Sequence, residues 1–172
     1  KINNMTKDVI LAMVDTDSKN GGASFPRPVI EEYLNSKRCK DKLRDRTMLG
    51  ALTHQFRYGA ENTEGFGADD RMLNDGAILF CFTDLWLDGN NLMATIDIFD
   101  DYSEYSEDQV GDIKQLMRLI KHNVNVPISI VTDAEWNKDE TEMTYLYEII
   151  GGDVTLNPAF TGAKILVNNE KN

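Results

Sequence analysis

The stretch Ala77-Ile78-Leu79-Phe80-Cys81-Phe82-Thr83-Asp84-Leu85-Trp86-Leu87-Asp88-Gly89-Asn90-Asn91-Leu92-Met93-Ala94-Thr95-Ile96-Asp97-Ile98-Phe99 decides the fold. Residues 77–87 and 92–99 are nearly continuous runs of apolar and aromatic side chains on either side of Gly89-Asn90-Asn91. Two such runs around a Gly/Asn turn make a β-hairpin, which is expected in the central sheet. Beyond it, Ser106-Glu107-Asp108-Gln109 has the form of a capping box. It opens a helix with Val110, Ile113, Leu116, Met117 and Ile120 on one face and Arg118, Lys121 and His122 near the C-terminal end. That helix is expected to lead directly into a strand over 127–132, and residues 143–150, 153–156 and 163–167 read as further strands.

Working back from the hairpin, residues 9–14 are a short apolar run that reads as a strand. Asp15-Thr16-Asp17-Ser18-Lys19-Asn20-Gly21-Gly22 has the look of a calcium loop, but Lys19 stands where an oxygen ligand is needed and Pro26 occupies the twelfth position. It reads as a turn. Pro28 suits the first position of a helix, and Val29, Ile30, Tyr33 and Leu34 follow at helical spacing, which predicts about three turns. Residues 48–54 read as a strand, and 58–70, with Gly59, Gly65 and Gly67 among polar residues, as a long surface loop. The sum is an α+β fold: a small, mainly antiparallel β-barrel-like core with two flanking helices, since many short strands in one compact unit must manage their edges. No repeat, linker or low-complexity tract interrupts residues 1–172, which read as a single domain.

The chain has 172 residues, 41% hydrophobic and 27% charged, enough to bury a substantial core. Acidic residues outnumber basic ones 29 to 18, for a formal charge of −11. Nucleic-acid affinity rests on Lys and Arg neutralising phosphates, so no nucleic-acid partner is expected. The basic run Lys37-Arg38-Cys39-Lys40 with Lys42, Arg44 and Arg46 is interrupted by acids and reads as a solvated helix end or a local docking patch. No apolar run approaches the roughly 20 residues a membrane-crossing helix needs, and the first residues lack a signal-peptide pattern. Cys39 and Cys81 make neither a disulfide framework nor a zinc site, and a reducing, intracellular setting fits them.

Only two histidines occur, His54 and His122. His122 falls in the last turn of a predicted helix, where the helix dipole favours a cation, a structural place. His54 closes an apolar strand before the polar Gln55 and Arg57 and reads as standing at a sheet rim. Ser129, between Ile128 and Ile130, faces away from both on a strand, either to solvent or into a cleft. A serine hydroxyl is a weak nucleophile until a base takes its proton, and His54 is the base that could serve. For the group that orients the imidazole, two carboxylates compete. Asp153 is expected at a strand start after Gly151-Gly152, and Glu148 lies in Tyr145-Leu146-Tyr147-Glu148. The acids Asp97, Asp100, Asp101, Glu104, Glu107 and Asp108 have no fixed ligand spacing and read as a solvated loop and helix start, so no metal or other cofactor is implied. Cys81 reads as core.

Three stretches together resemble the prohead maturation proteases of tailed phages, a family related to the herpesvirus assemblin protease. Leu49-Gly50-Ala51-Leu52-Thr53-His54 is similar to the family's Gly-x-Leu-x-His segment at the catalytic histidine. Val126-Pro127-Ile128-Ser129-Ile130 is similar to the strand that presents the nucleophilic serine. Gly152-Asp153-Val154-Thr155-Leu156-Asn157-Pro158-Ala159 is similar to the closing Asp-Val-x-x-x-Pro-Ala pattern, with Ala163 downstream. Upstream, Phe25-Pro26-Arg27-Pro28-Val29-Ile30-Glu31-Glu32 is similar to the helix that leads to the histidine strand.

The resemblance implies a herpesvirus-protease-like fold and a serine endopeptidase with His54 as general base, Ser129 as nucleophile and Asp153 as the orienting acid. It implies scaffold and major capsid precursor proteins as substrates, the enzyme itself included. It also implies action inside the immature capsid (the prohead) in the host cytoplasm, with no membrane partner; a homo-oligomer is compatible with it. Gln55 stands where many relatives have Pro, and no Arg follows Ser129, so backbone N–H groups after Ser129 are the expected oxyanion donors. Two alternatives stand beside this reading. One is a protease-like structural or interaction protein of the virion or scaffold whose chemistry is lost, and the other a hydrolase built on Cys81 or a carboxylate.

Overall fold

In the computed structural model the described residues are 5–18, 23–52, 78–100 and 107–167. Along the chain they form β1 (Met5–Met13), α1 (Arg27–Leu34), α2 (Lys37–Asp45), β2 (Leu49–Ala51), β3 (Ile78–Asp88), β4 (Asn91–Ile98), α3 (Glu107–Lys121), β5 (Ile128–Trp136), β6 (Met143–Val154) and β7 (Lys164–Leu166). The strands make one curled mixed sheet in the order β5-β6-β2-β3-β4-β1-β7. All pairings are antiparallel except β2 with β6, where Leu49 lies opposite Gly151 and a bridge from Leu52 to Val154 extends the contact. The 77–99 hairpin is β3–β4, inside the sheet as expected, with Gly89 at φ 58° in its two-residue turn.

The sheet curls far enough for its ends to touch. Pro127 bridges Lys164, the Ile128 N–H donates to the Ala163 carbonyl (3.2 Å), and the Ile165 N–H donates to the Val126 carbonyl (2.8 Å). The result is a half-barrel whose end strands are stitched together just before Ser129. This removes part of the exposed edge that an open sheet would leave. Its interior is marked by Gly152. A Cβ there would lie 3.0 Å from Leu11 Cδ1, 3.1 Å from Phe82 Cζ and 3.4 Å from Ile128 Cδ1, so side chains from β1, β3 and β5 converge on β6.

Two expectations about elements need correction. Residues 143–156 were expected as two strands parted by Gly151-Gly152, but β6 runs unbroken through both glycines. Gly152 is there because the barrel interior leaves no room for a side chain, not because the chain turns. The helix after Pro26 was expected to run about three turns, with the charged segment as its solvated end; instead there are two short helices, giving three among the described residues. Ser36 divides them: its Oγ donates to the Tyr33 carbonyl (2.6 Å) and accepts the Cys39 N–H (3.2 Å), ending α1 and capping α2. Cys39 is the buried residue of α2. Its basic groups are spent nearby: Lys37 and Arg44 pair with Asp41, Lys42 with Glu148, and Arg38 lies over the rings of Tyr145 and Tyr147. The patch is a solvated helix face.

β2 is short and tightly constrained. A Cβ at Gly50 would sit 2.0 Å from Phe80 Cε1 and 2.7 Å from the Gly152 carbonyl oxygen. The ring can shift, but the carbonyl belongs to the neighbouring strand and cannot do so without breaking the pairing. Gly50→Ala is therefore expected to destabilise the protein by about 3 kcal/mol, the upper range for overpacking, read as a lower urea midpoint. Gly152→Ala, facing side-chain tips at 3.0 Å and beyond, is expected to cost less.

Candidate active site

Ser129 and Asp153 are directly opposite one another on β5 and β6. Two positions along, the Thr155 N–H donates to the Pro127 carbonyl (3.1 Å). Because bonded pairs alternate in an antiparallel ladder, Ser129 and Asp153 form the next hydrogen-bonded pair. Directly opposite side chains share a face, with Cβ atoms about 5 Å apart. The face is the one away from Gly152's crowded interior position.

Neither side chain reaches solvent freely: Ser129 is 3% exposed and Asp153 0%. Solvent is thus excluded as the environment of Ser129, because residues 128–131 are buried on both faces of β5. Asp153 also lies near the end of its strand, not at a start, because β6 is continuous.

Two backbone amides reach into this pair. The Ala51 N–H of β2 donates to Asp153 Oδ1 (3.1 Å), and the Ala159 N–H donates to Ser129 Oγ (3.1 Å). A buried carboxylate is expensive unless hydrogen-bonded, so the β2 amide explains in part how Asp153 is tolerated. The Ser129 hydroxyl uses an acceptor site for Ala159 and keeps its proton. Among the described residues no acceptor takes that proton. The arrangement therefore holds a serine oxygen in place with its O–H available to a base.

His54 lies outside the described residues, as do the 58–70 segment and Ser106 of the capping box. The described chain stops at Leu52, whose bridge to Val154 puts it beside the strand that carries Asp153. Glu148 is placed elsewhere. It sits opposite Asp133, is held by Lys42 at 3.3 Å, and precedes Asp153 by five strand positions, about 16 Å. His122 follows α3 and lines a shallow cavity with Lys114, Met117, Arg118 and Lys121.

Cys81 is buried and opposite Asp97. Burial pushes its thiol pKa up, which disfavours the thiolate a cysteine nucleophile needs. Asp97 departs from the solvated loop expected of the acidic stretch. It is 4% exposed on β4 and ion-paired with Arg46, while its other oxygen, Oδ1, has no hydrogen-bond partner among the described residues. Arg46 reaches it because the C-cap of α2 takes a left-handed conformation, φ 61°. The two amides at Ser129 and Asp153 were not legible in the sequence. The Pro158-Ala159 pair was visible only as a pattern, without its hydrogen bond.

No protein family and no curated protein matches the chain in sequence. Among solved structures the chain is similar to the capsid assembly protease of bacteriophage T4, gp21. The TM-score is 0.51 at 12% identity, over 88% of this chain and 83% of that one. At that identity the likeness is one of fold, and function has to be argued from the site.

Proposed function

We propose that the protein is a serine endopeptidase of phage head maturation, cutting scaffold and capsid-precursor proteins, itself included, inside the immature capsid. The observation that carries the reading is the buried Ser129–Asp153 pair, with Ser129 Oγ held by a backbone amide, in a fold similar to that of a capsid assembly protease. The assignment of His54 as base is supported by its place in the sequence, two residues after Leu52, the residue that bridges Val154 next to Asp153. The resemblance of Gly50–His54 to a catalytic-histidine segment points the same way.

In this mechanism His54 takes the Ser129 proton as Oγ attacks the peptide carbonyl. The C–N bond then breaks, the amine leaves with that proton, and water hydrolyses the acyl-enzyme with His54 again as base. Asp153 holds the imidazole in one tautomer and stabilises its charged form. No metal or organic cofactor enters. A kinship with the herpesvirus assemblin protease and a homo-oligomeric form belong to the same reading.

An alkyl fluorophosphonate tests it, because the reagent marks an activated serine. Mass mapping is expected to find the adduct on Ser129 alone. A protein left unlabelled under conditions where it is folded is the structural or interaction protein of the alternative reading, and the protease assignment is then wrong. Cys81→Ala is expected to leave both labelling and processing of co-expressed scaffold within about twofold of the parent, since the buried thiol is a core group. Loss of processing in that variant, with folding intact, would return Cys81 to candidacy.

A further inference from the structure

We infer that the backbone amide of Ala159 is the oxyanion donor of this site, resting on Ser129 Oγ in the free protein and passing to the substrate carbonyl oxygen as Oγ attacks. The inference rests on Ser129 being the nucleophile and adds which group receives the developing charge. In the tetrahedral intermediate Oγ and the oxyanion are bonded to the same carbon. A donor 3.1 Å from Oγ therefore needs only a small reorientation to meet the oxyanion. As the Oγ–C bond forms, the carbonyl π pair moves onto oxygen and the hydroxyl proton goes to the base. Oγ becomes an ether-like, poor acceptor while the oxyanion becomes a strong one. The N–H then binds more strongly in the transition state than in the ground state, the condition for accelerating the step.

The expectation that amides following Ser129 would do this is less well served by the geometry. The Ser129 N–H itself is committed to the ladder pair with Asp153, and the Ile130 N–H points to the other edge of β5. Ala159, in contrast, is supplied from a segment pinned on both sides. Thr155 Oγ1 accepts the Asn157 N–H (3.1 Å) at its start, and Leu156 projects to solvent at 87% exposure while Pro158 is buried. After Ala159, Phe160 packs edge-on against Phe25 with ring centroids 5.1 Å apart, and its carbonyl accepts the Ala163 N–H (3.1 Å). A donor fixed in this way needs little reorganisation when charge develops. The side chain at 159 contributes nothing to the role; the N–H does all of it.

Replacing Ala159 in the full chain by lactate turns the 158–159 amide into an ester and removes that N–H alone. The rate of Ser129 phosphonylation by an alkyl fluorophosphonate, whose phosphoryl oxygen stands in for the oxyanion, is expected to fall about 10²–10³-fold. The pH dependence of labelling should be unchanged, because the base is untouched. In unmodified, ¹⁵N-labelled protein the Ala159 amide proton should move downfield on phosphonylation, a readout that does not depend on the ester protein folding. Labelling of the ester protein at the parental rate, or an Ala159 amide proton that does not move on adduct formation, overturns the inference and leaves a hydrogen bond that only satisfies a buried serine. Failure to label Ser129 in the parent removes the nucleophile assignment and the donor with it, whereas labelled Ser129 with an unaffected ester protein removes the donor alone.

Discussion

Ser129→Ala is expected to abolish processing of a co-expressed scaffold protein, with turnover falling by about five to six orders of magnitude, the scale seen when a serine nucleophile is removed. The substitution also has a structural consequence that follows from its partner. With Oγ gone, the half-buried Ala159 N–H loses its acceptor. A fully buried donor left unsatisfied costs about 1–3 kcal/mol and a half-buried one less, so a small drop in the urea midpoint should accompany the loss of activity. The two effects separate by magnitude: a folded fraction lowered by a few kcal/mol at most cannot account for so large a loss in protein that still shows a cooperative transition. Scaffold cleavage that persists in the alanine variant would place the nucleophile elsewhere and end the protease mechanism as drawn here.

How much of this was readable in advance differs from element to element. The β3–β4 hairpin was legible because its signal is local: two apolar runs and a Gly/Asn turn whose first residue takes positive φ. The continuity of β6 was not. Gly151-Gly152 has the composition of a break, and only the arrival of Leu11, Phe82 and Ile128 from three other strands shows why a glycine stands inside a strand. α2 was hidden by its charges, since its one buried side chain, Cys39, gives no periodicity; the remaining signal was Ser36, a capping residue three positions before Cys39. At the site, alternation correctly turned Ser129 away from its isoleucine neighbours. It could not say that the opposite face is buried too, because the covering groups lie far away in sequence. Asp153 and Ser129 were both candidates, yet their pairing is a matter of register, which depends on the bulges between β5 and β6 and has no counterpart in local pattern. His54 lies outside the described residues, and its role stays with the resemblance and its place two residues after Leu52.

The register also sharpens the choice between the two carboxylates. Asp153→Asn is expected to reduce turnover by about 10⁴-fold, the loss associated with an orienting aspartate made neutral in a catalytic triad. The amide oxygen of Asn can still accept the Ala51 N–H now held by Oδ1 at 3.1 Å, so the fold has a way to keep its hydrogen bond. What changes is that the group no longer carries a charge to stabilise an imidazolium, and presents an NH₂ where a second acceptor stood. Glu148→Gln makes the same chemical change some 16 Å along the strand, on a carboxylate already held by Lys42. With the Glu148 side chain 39% exposed and that of Lys42 12%, the pair is only partly at the surface, and its loss should cost about 1 kcal/mol, the upper end for surface pairs, and leave turnover within about twofold, since no step of the mechanism reaches it. Both variants are to be measured on one peptide substrate alongside their denaturation midpoints. A large loss in Glu148→Gln with Asp153→Asn near the parent would transfer the orienting role to Glu148 and require a substrate-bound geometry quite different from the present register. Small, equal losses would instead leave Ser129 and His54 acting as a pair, with Asp153 serving only to anchor β2 against β6 through Ala51.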